Sequence, residues 1–149
     1  MQIGDCFDVD VTAIAHGGHC IARHDGRVIF VRHAIPGEKV TVEITDVTKN
    51  FARGNCIAVI SASPFRVKAP CKYAAPLGCG GCDFQHIAPA HQRQLKCDII
   101  VEQFQRLAKM DIDVEVEEVL PILHWRSRME FTISDNSRLG LFASRSSRI

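Results

Sequence analysis

The chain has 149 residues, of which 46% are hydrophobic and 23% charged, an ordinary balance for a globular protein with a buried core. A formal net charge of +1 excludes a strong bulk attraction to nucleic acid, so any basic surface has to be local. No apolar run approaches the length of a membrane span, and acidic residues occupy the N-terminus where a signal peptide would need basic and apolar ones, so we expect a cytoplasmic protein without a membrane partner.

Residues 1–62 predict a closely spaced series of short β-strands. Phe7, Val9 and Val11 alternate with polar residues, which is the period of a strand with one buried face. Ile35-Pro36-Gly37-Glu38 supplies a turn signal between two later strands. Four or five such strands in a segment of this size predict a small Greek-key barrel of OB type, a fold that often binds oligonucleotides. The clearest strand patterns lie at 7–12, 27–31, 39–47 and 52–60.

A proline- and serine-containing linker at 63–70 leads into a cysteine loop at 71–86. Cys71, Cys79 and Cys82 are close enough in sequence to reach one centre, and the Gly-Gly pair before Cys82 lets the backbone bend sharply. Clustered cysteines in a reducing compartment more often bind metal or do redox chemistry than form disulfides. The spacing therefore indicates a metal or iron–sulfur site.

Tetrahedral zinc and an iron–sulfur cubane each take four ligands, so the three cysteines lack one. Cys97, His86 and His91 are the nearby candidates for the fourth position. For Cys97 a buried, inert thiol on the following helix is the more ordinary interpretation, and for the histidines a surface or helix-start role. We expect the remaining cysteines to fill the barrel core: Cys6, Cys20 and Cys56.

Residues 87–110 predict a helix with Pro89 in its first turn. Apolar side chains recur at helical spacing and form one stripe, which we expect to pack against another part of the protein. The stripe consists of Cys97, Ile100, Val101, Phe104, Leu107 and Ala108.

The tail at 111–149 predicts a return to strands. Apolar and acidic residues alternate over 112–120, and 128–134 and 138–144 flank a hairpin-like turn at Asp135-Asn136-Ser137. The fold class expected for the whole chain is mainly β with one helix (α+β). It consists of an OB-like barrel, the cysteine loop, the helix and the start of a small β domain.

Two arginines of the tail, Arg126 and Arg128, occupy alternate positions of a predicted strand and would therefore share one face. Residues 122–149 hold five arginines against Glu130 and Asp135, a local net charge of +3. Phosphate contacts from such a patch would make nucleic-acid binding sensitive to salt. The other arginines of the segment are Arg138, Arg145 and Arg148.

The motif CGGC followed by Asp83-Phe84-Gln85-His86 resembles the iron–sulfur motif of the RNA uracil-5-methyltransferases, which are S-adenosylmethionine-dependent enzymes with an N-terminal TRAM domain. His16-Gly17-Gly18 and the Pro-Gly-Glu turn at 36–38 resemble turns of TRAM domains, which are OB-like RNA-binding barrels. The resemblance continues in the family's order over nearly the whole chain. The further matching stretches are 92–96, 125–128 and 142–149.

The resemblance implies a 4Fe–4S cluster held by Cys71, Cys79 and Cys82, with the fourth cysteine expected beyond residue 149. The first gap, of seven residues, is longer than the commoner form in the family, and loop-closure entropy grows slowly enough to allow it. S-adenosylmethionine would bind to a catalytic domain that this chain lacks. The implied domains are a TRAM domain at 1–62, the linker at 63–70, the iron–sulfur loop at 71–86, the helix at 87–110 and an incomplete β central domain at 111–149.

By the same resemblance, the chain would be a monomer that holds RNA, either ribosomal or transfer RNA, and would not be catalytic alone. In the intact enzyme a cysteine thiolate would add to carbon 6 of uracil and activate carbon 5 for methylation. No residue here matches the catalytic cysteine or the general base. An alternative stays open: a free-standing TRAM-type RNA-binding module with a structural zinc site completed by Cys97. The candidate RNA-binding residues are Arg126, Arg128, Arg23, Arg32 and Arg53.

Overall fold

The structure, a computed structural model, describes residues 1–76 and 78–143. Five strands close into a barrel in the order β1-β2-β3-β5-β4, which confirms the prediction of a mainly β, OB-like fold. Neighbouring strands are antiparallel except β3 and β5, which run parallel. The strands are β1 (Cys6–Ile14), β2 (Cys20–His24), β3 (Arg27–Arg32), β4 (Lys39–Val47) and β5 (Phe51–Ser61).

Alternate residues of each strand fill the barrel interior. Ile29 and Val31 of β3 are fully buried, so the residues between and beside them point outwards. Strands β4 and β5 approach so closely that a Cβ at Gly54 would lie 2.4 Å from Val42 Cγ1 and 2.6 Å from the Glu43 carbonyl oxygen. The absence of a side chain at Gly54 is therefore what lets this strand pair close over the core.

Two of the three barrel cysteines are core residues, as predicted. Burial raises the pKa of the Cys20 thiol to about 12 and also raises the pKa of Cys56, so both thiols are protonated and unreactive at neutral pH. The prediction is wrong for Cys6, which is exposed because it occupies an outward-facing position at the start of β1.

One α-helix, α1 (Pro89–Gln103), packs beside the barrel and continues into a π-helical turn at 104–108. Pro89 occupies the first turn as predicted, where its missing N–H is not needed. Leu95 is the buried residue of α1 and joins Ile35 and Ile87 in a second small core. The N-terminal half of the helix is therefore the part that is anchored to the barrel side of the molecule.

The predicted apolar stripe is not buried along its length. Phe104 is 43% exposed and Leu107 is 69% exposed, whereas Leu95, which lies outside the predicted stripe, is 2% exposed. The reason is that helical spacing gives the angular position of a residue but not how far along the helix the neighbouring surface extends.

The tail forms much less β-structure than its sequence pattern predicts. A short hairpin pairs β6 (Thr132–Ile133) with β7 (Leu139–Gly140), which confirms the predicted turn at 135–137. Residues 112–120 form no strand, because an alternating segment needs a neighbouring strand for its backbone hydrogen bonds and none of the described residues supplies one. The predicted stretch at 144–149 lies outside the described residues. Among the described helices none has the length and apolar character to span a bilayer.

Candidate nucleic-acid interface and cysteine loop

The outer surfaces of β2, β3 and β5 form one continuous face that is aromatic and basic. Strand β3 lies between the other two, and its residue Phe30 is paired with Ile21 of β2 and with Arg53 of β5. Phe30 points outwards because Ile29 and Val31 point into the core. We call this surface the β2-β3-β5 face and define it by Arg23, Phe30, Arg32, Phe51 and Arg53.

Two phenylalanines lie at the middle of the β2-β3-β5 face. The ring centroids of Phe30 and Phe51 are 5.3 Å apart at an interplanar angle of 77°, an edge-to-face contact. The guanidinium carbon of Arg53 is 5.4 Å from the centroid of the Phe51 ring, within the range of a cation–π contact. The half-buried rings present π-surface beside a positive charge.

The structure brings three of the five predicted RNA-binding arginines onto this face. Arg23 is exposed, and Arg53 lies 3.9 Å from Asp46 in an exposed pair, which constrains it weakly. Arg32 pairs with Asp83 of the cysteine loop. Their shared face follows from the antiparallel register of β2 with β3 and the parallel register of β3 with β5, which sequence spacing does not reveal.

The other two predicted arginines lie in an irregular segment. Arg126 and Arg128 are exposed in coil, so the strand alternation that was expected to align them does not apply. The Arg126 guanidinium lies 5.1 Å from the Trp125 ring centroid. Arg145 and Arg148 lie outside the described residues.

The cysteine loop is held by backbone hydrogen bonds within it and to its neighbours. The Cys71 N–H donates to Gln85 Oε1 at 3.1 Å, and the Cys79 N–H donates to the Tyr73 carbonyl at 2.9 Å. A Cβ at Gly78 would lie 2.3 Å from the Tyr73 carbonyl oxygen, so the loop closes only with glycine there. The Gly81 N–H lies 3.4 Å from the Cys79 sulfur, a donor of the kind that tunes thiolate ligands.

All three predicted cysteine ligands line one cavity of about 1130 Å³ between the loop and the β6–β7 hairpin. The hairpin side is attached to the loop by a hydrogen bond from the Gly80 N–H to the Phe142 carbonyl at 3.4 Å. Three thiols have the donor chemistry that zinc and iron–sulfur centres require. Within residues 1–76 and 78–143, however, no three His, Cys, Asp or Glu side chains form a group that could hold a metal ion.

The candidates for a fourth ligand occupy other places in the fold. Cys97 is half-buried on α1 and is not among the residues that line the cysteine cavity. His91 stacks on Phe65, with ring centroids 3.9 Å apart. His86 is buried rather than on the surface, with Nε2 lying 3.3 Å from the Ala34 carbonyl oxygen. Thus the zinc set completed by Cys97 is not assembled in this part of the chain.

A buried ion pair connects the barrel to the segment that leads to the cysteines. Glu38 is 1% exposed, and its two carboxylate oxygens accept hydrogen bonds from Nε and Nη2 of Arg66, each at 2.6 Å. The backbone N–H groups of Ile35 and Ser63 also donate to it, at 2.9 and 3.1 Å. Burial by itself would raise the pKa of Glu38, but Arg66 and these N–H donors outweigh it and lower the pKa below its usual value.

Two histidines lie beside this pair at the junction. A carbonyl oxygen can only accept, so the His86 Nε2 carries the hydrogen that it donates to Ala34. Burial lowers the pKa of His86 to about 4 and also lowers the pKa of His33. The sequence predicted a turn position for Glu38 and a surface or helix-start role for His86. The Pro-Gly-Glu turn was the available signal for Glu38, but it does not reveal burial.

The chain is similar to one known domain family and to several named proteins. Residues 1–57 match the family model of the TRAM domain. A protein named as an uncharacterized RNA methyltransferase from Streptomyces coelicolor is 38% identical, over 99% of this chain and 35% of that protein. A protein of the same description from Corynebacterium efficiens is 43% identical, over 96% of this chain and 34% of that protein.

A third relative carries a more specific name. The 23S rRNA (uracil(1939)-C(5))-methyltransferase RlmD from Methylococcus capsulatus is 41% identical over 101 residues, which are 68% of this chain and 22% of that protein. The chain thus spans about a third or less of the length of these relatives.

Proposed function

Because residues 1–57 form a TRAM domain and the chain matches the N-terminal part of proteins named RNA methyltransferases, we propose that it is the RNA-binding portion of an RNA (uracil-C5)-methyltransferase. Its substrate would be ribosomal or transfer RNA. No residue of this chain is assigned to methyl transfer or to binding S-adenosylmethionine. Its own contribution would be to hold the RNA for those steps.

The observation that carries this proposal is the β2-β3-β5 face. Proteins that bind single-stranded nucleic acid combine positive charge, which follows the phosphate backbone, with aromatic rings on which bases stack. Phe30 and Phe51 supply the rings, and Arg23 and Arg53 supply charge on either side of them. OB-type barrels use such an outer strand face for oligonucleotides.

Replacing Arg23 and Arg53 together by glutamine is expected to weaken binding of a single-stranded RNA on the order of tenfold at low salt. The plot of log affinity against log salt concentration should also become shallower. Its slope should change by about 0.7 for each lost phosphate contact, and so by about 1.4 for two. Fluorescence anisotropy of an end-labelled oligouridylate, measured over a series of salt concentrations, checks both numbers.

The control for this measurement removes the same charge from elsewhere. Arg106→Gln with Lys109→Asn changes two exposed basic residues at the end of the helix, and asparagine tolerates the positive φ of position 109. If this pair of substitutions weakens RNA binding as much as the barrel pair, the attraction is unspecific and the β2-β3-β5 face is not the interface.

We further propose that the thiolates of Cys71, Cys79 and Cys82 hold an iron–sulfur cluster. The support is that the three thiols line one cavity and that a backbone N–H already approaches the Cys79 sulfur. Since these thiols do not form a ligand group in the described residues, binding of the cluster would have to draw them together. When bound, such a cluster would anchor the loop against the β6–β7 hairpin. Carbon-5 methylation of uracil needs no electron transfer, so its role would be structural or RNA-positioning.

The chain purified without oxygen is expected to contain iron and acid-labile sulfide and to be brown. Cys82→Ser should remove most of both, because it takes away one of three thiolates, whereas Cys6→Ser changes an exposed thiol of the barrel and should leave both unchanged. Metal analysis with an absorption spectrum measures the outcome. Stoichiometric zinc in a colourless protein would contradict the iron–sulfur proposal.

A further inference from the structure

The only tryptophan of the sequence, Trp125, is largely exposed to solvent. Its side chain is 63% exposed, and the guanidinium of Arg126 lies 5.1 Å from the centroid of its ring. An indole has a flat apolar ring and a polar N–H, and tryptophan is enriched at protein interfaces for this reason. Because most of the side chain is exposed, part of the ring is open to a planar partner.

Trp125 lines a cavity of about 870 Å³, which falls within the range of small-molecule sites, about 300–1000 Å³. Besides the segment that carries Trp125, its walls come from the barrel loop at Gly17-Gly18, the linker, the cysteine loop around Phe84, and the helix that carries Lys96. A Cβ at Gly18 would lie 3.0 Å from the Phe84 ring, so the barrel loop packs directly on the cysteine loop at this cavity.

The charges around this cavity favour an anionic ligand. Lys96 and Arg126 both line it, and in residues 1–76 and 78–143 neither forms a salt bridge with a carboxylate. Asp83, the carboxylate of the lining, is already paired with Arg32 of the barrel. A planar, apolar ring beside two cations matches a ligand that joins an aromatic base to a phosphate.

We propose that this cavity binds one unstacked nucleotide of a single-stranded RNA, with its base on the Trp125 ring and its phosphate against Lys96 and Arg126. This inference rests on the proposed RNA-binding function and adds a second contact to the β2-β3-β5 face. Arg32 belongs to that face and pairs with Asp83, which lines the cavity, so the two sites adjoin through one ion pair. A strand of RNA that leaves the barrel face therefore enters the cavity next.

The sole tryptophan makes the test direct, because emission excited at a wavelength that the single tyrosine does not absorb reports on Trp125 alone. An oligouridylate of about twelve nucleotides is expected to quench this emission at the same concentrations that raise the anisotropy of the labelled RNA. Trp125→Ala should weaken binding about tenfold, the range of one base stacked on an aromatic ring. Trp125→Phe should keep most of the affinity, since it keeps a ring.

Phe131→Ala is the matched control, because Phe131 is an aromatic residue that is 49% exposed and does not line the cavity. The inference would be overturned if the RNA binds by anisotropy without quenching the Trp125 emission and if Trp125→Ala binds it with unchanged affinity. The proposed function would then remain intact. Quenching by uridine monophosphate as strong as that by the oligomer would overturn the assignment to RNA. If the chain binds no RNA at any salt concentration, both the inference and the proposed function fail.

Discussion

Replacing Glu38 by alanine is expected to lower the free energy of unfolding by about 3–5 kcal/mol, the range found when one partner of a buried ion pair is removed. The substitution leaves the Arg66 guanidinium without its two hydrogen bonds at 2.6 Å. It also leaves the N–H groups of Ile35 and Ser63 without an acceptor. Urea unfolding followed by circular dichroism measures the loss.

The control is an ion pair of the same residue types on the surface. Glu102 and Arg106 are each about half exposed on the helix, so Glu102→Ala should change the free energy of unfolding by at most about 0.5 kcal/mol. Adding Arg66→Met to Glu38→Ala should recover part of the loss, because no buried charge is then unpaired. A loss for Glu38→Ala no larger than that for Glu102→Ala would show that the pair does not hold the junction.

Acidification from about pH 7.5 to 5 is expected to remove about 2 kcal/mol of stability through His86 alone. Burial lowers the pKa of His86 from 6.5 to about 4, so in this range the unfolded chain takes up a proton that the folded chain does not. Stability is therefore fully present above pH 6.5 and is lost as the pH falls towards 4. His33, whose pKa burial also lowers, adds a change of the same sign.

His86→Gln tests the assignment, because a glutamine amide can still donate to the Ala34 carbonyl but does not titrate. This variant should lose about 2 kcal/mol less than the wild type between the two pH values. The control His16→Gln removes an exposed histidine of the barrel and should follow the wild type. Equal pH dependence of wild type and His86→Gln would exclude His86 as the source.

The barrel could be predicted because its strands carry their own signal. Val40, Val42 and Ile44 alternate with polar residues and are all buried, so one face of β4 could be identified from sequence alone. The start of the helix at Pro89 could also be predicted, because the preference of proline for the first turn depends only on the local sequence. The face that α1 buries could not be predicted, because Leu95 is buried by packing against Ile35 and Ile87, which belong to other segments.

Individual residues of the candidate site could be predicted from the sequence, but their arrangement on one surface could not. Arg23, Arg32 and Arg53 were selected as individual cations, and only the pairing of β3 with both β2 and β5 shows that they share a face with two aromatic rings. The cysteine spacing predicted one common location, and the three thiols do line one cavity. The burial of Glu38 and His86 was missed because a polar residue in a turn is normally solvated. Glu38 is buried against Arg66 and His86 against Ala34, and both partners are distant in sequence.

The pairing of Glu38 with Arg66 has a consequence for how the protein is made. All strands of the barrel are complete once residue 61 has emerged from the ribosome, whereas the guanidinium that neutralises Glu38 follows several residues later. Until then Glu38 has no cation to pair with, and burying its carboxylate alone would be costly. We therefore expect the turn around Ile35 to close fully only when the beginning of the next segment is available.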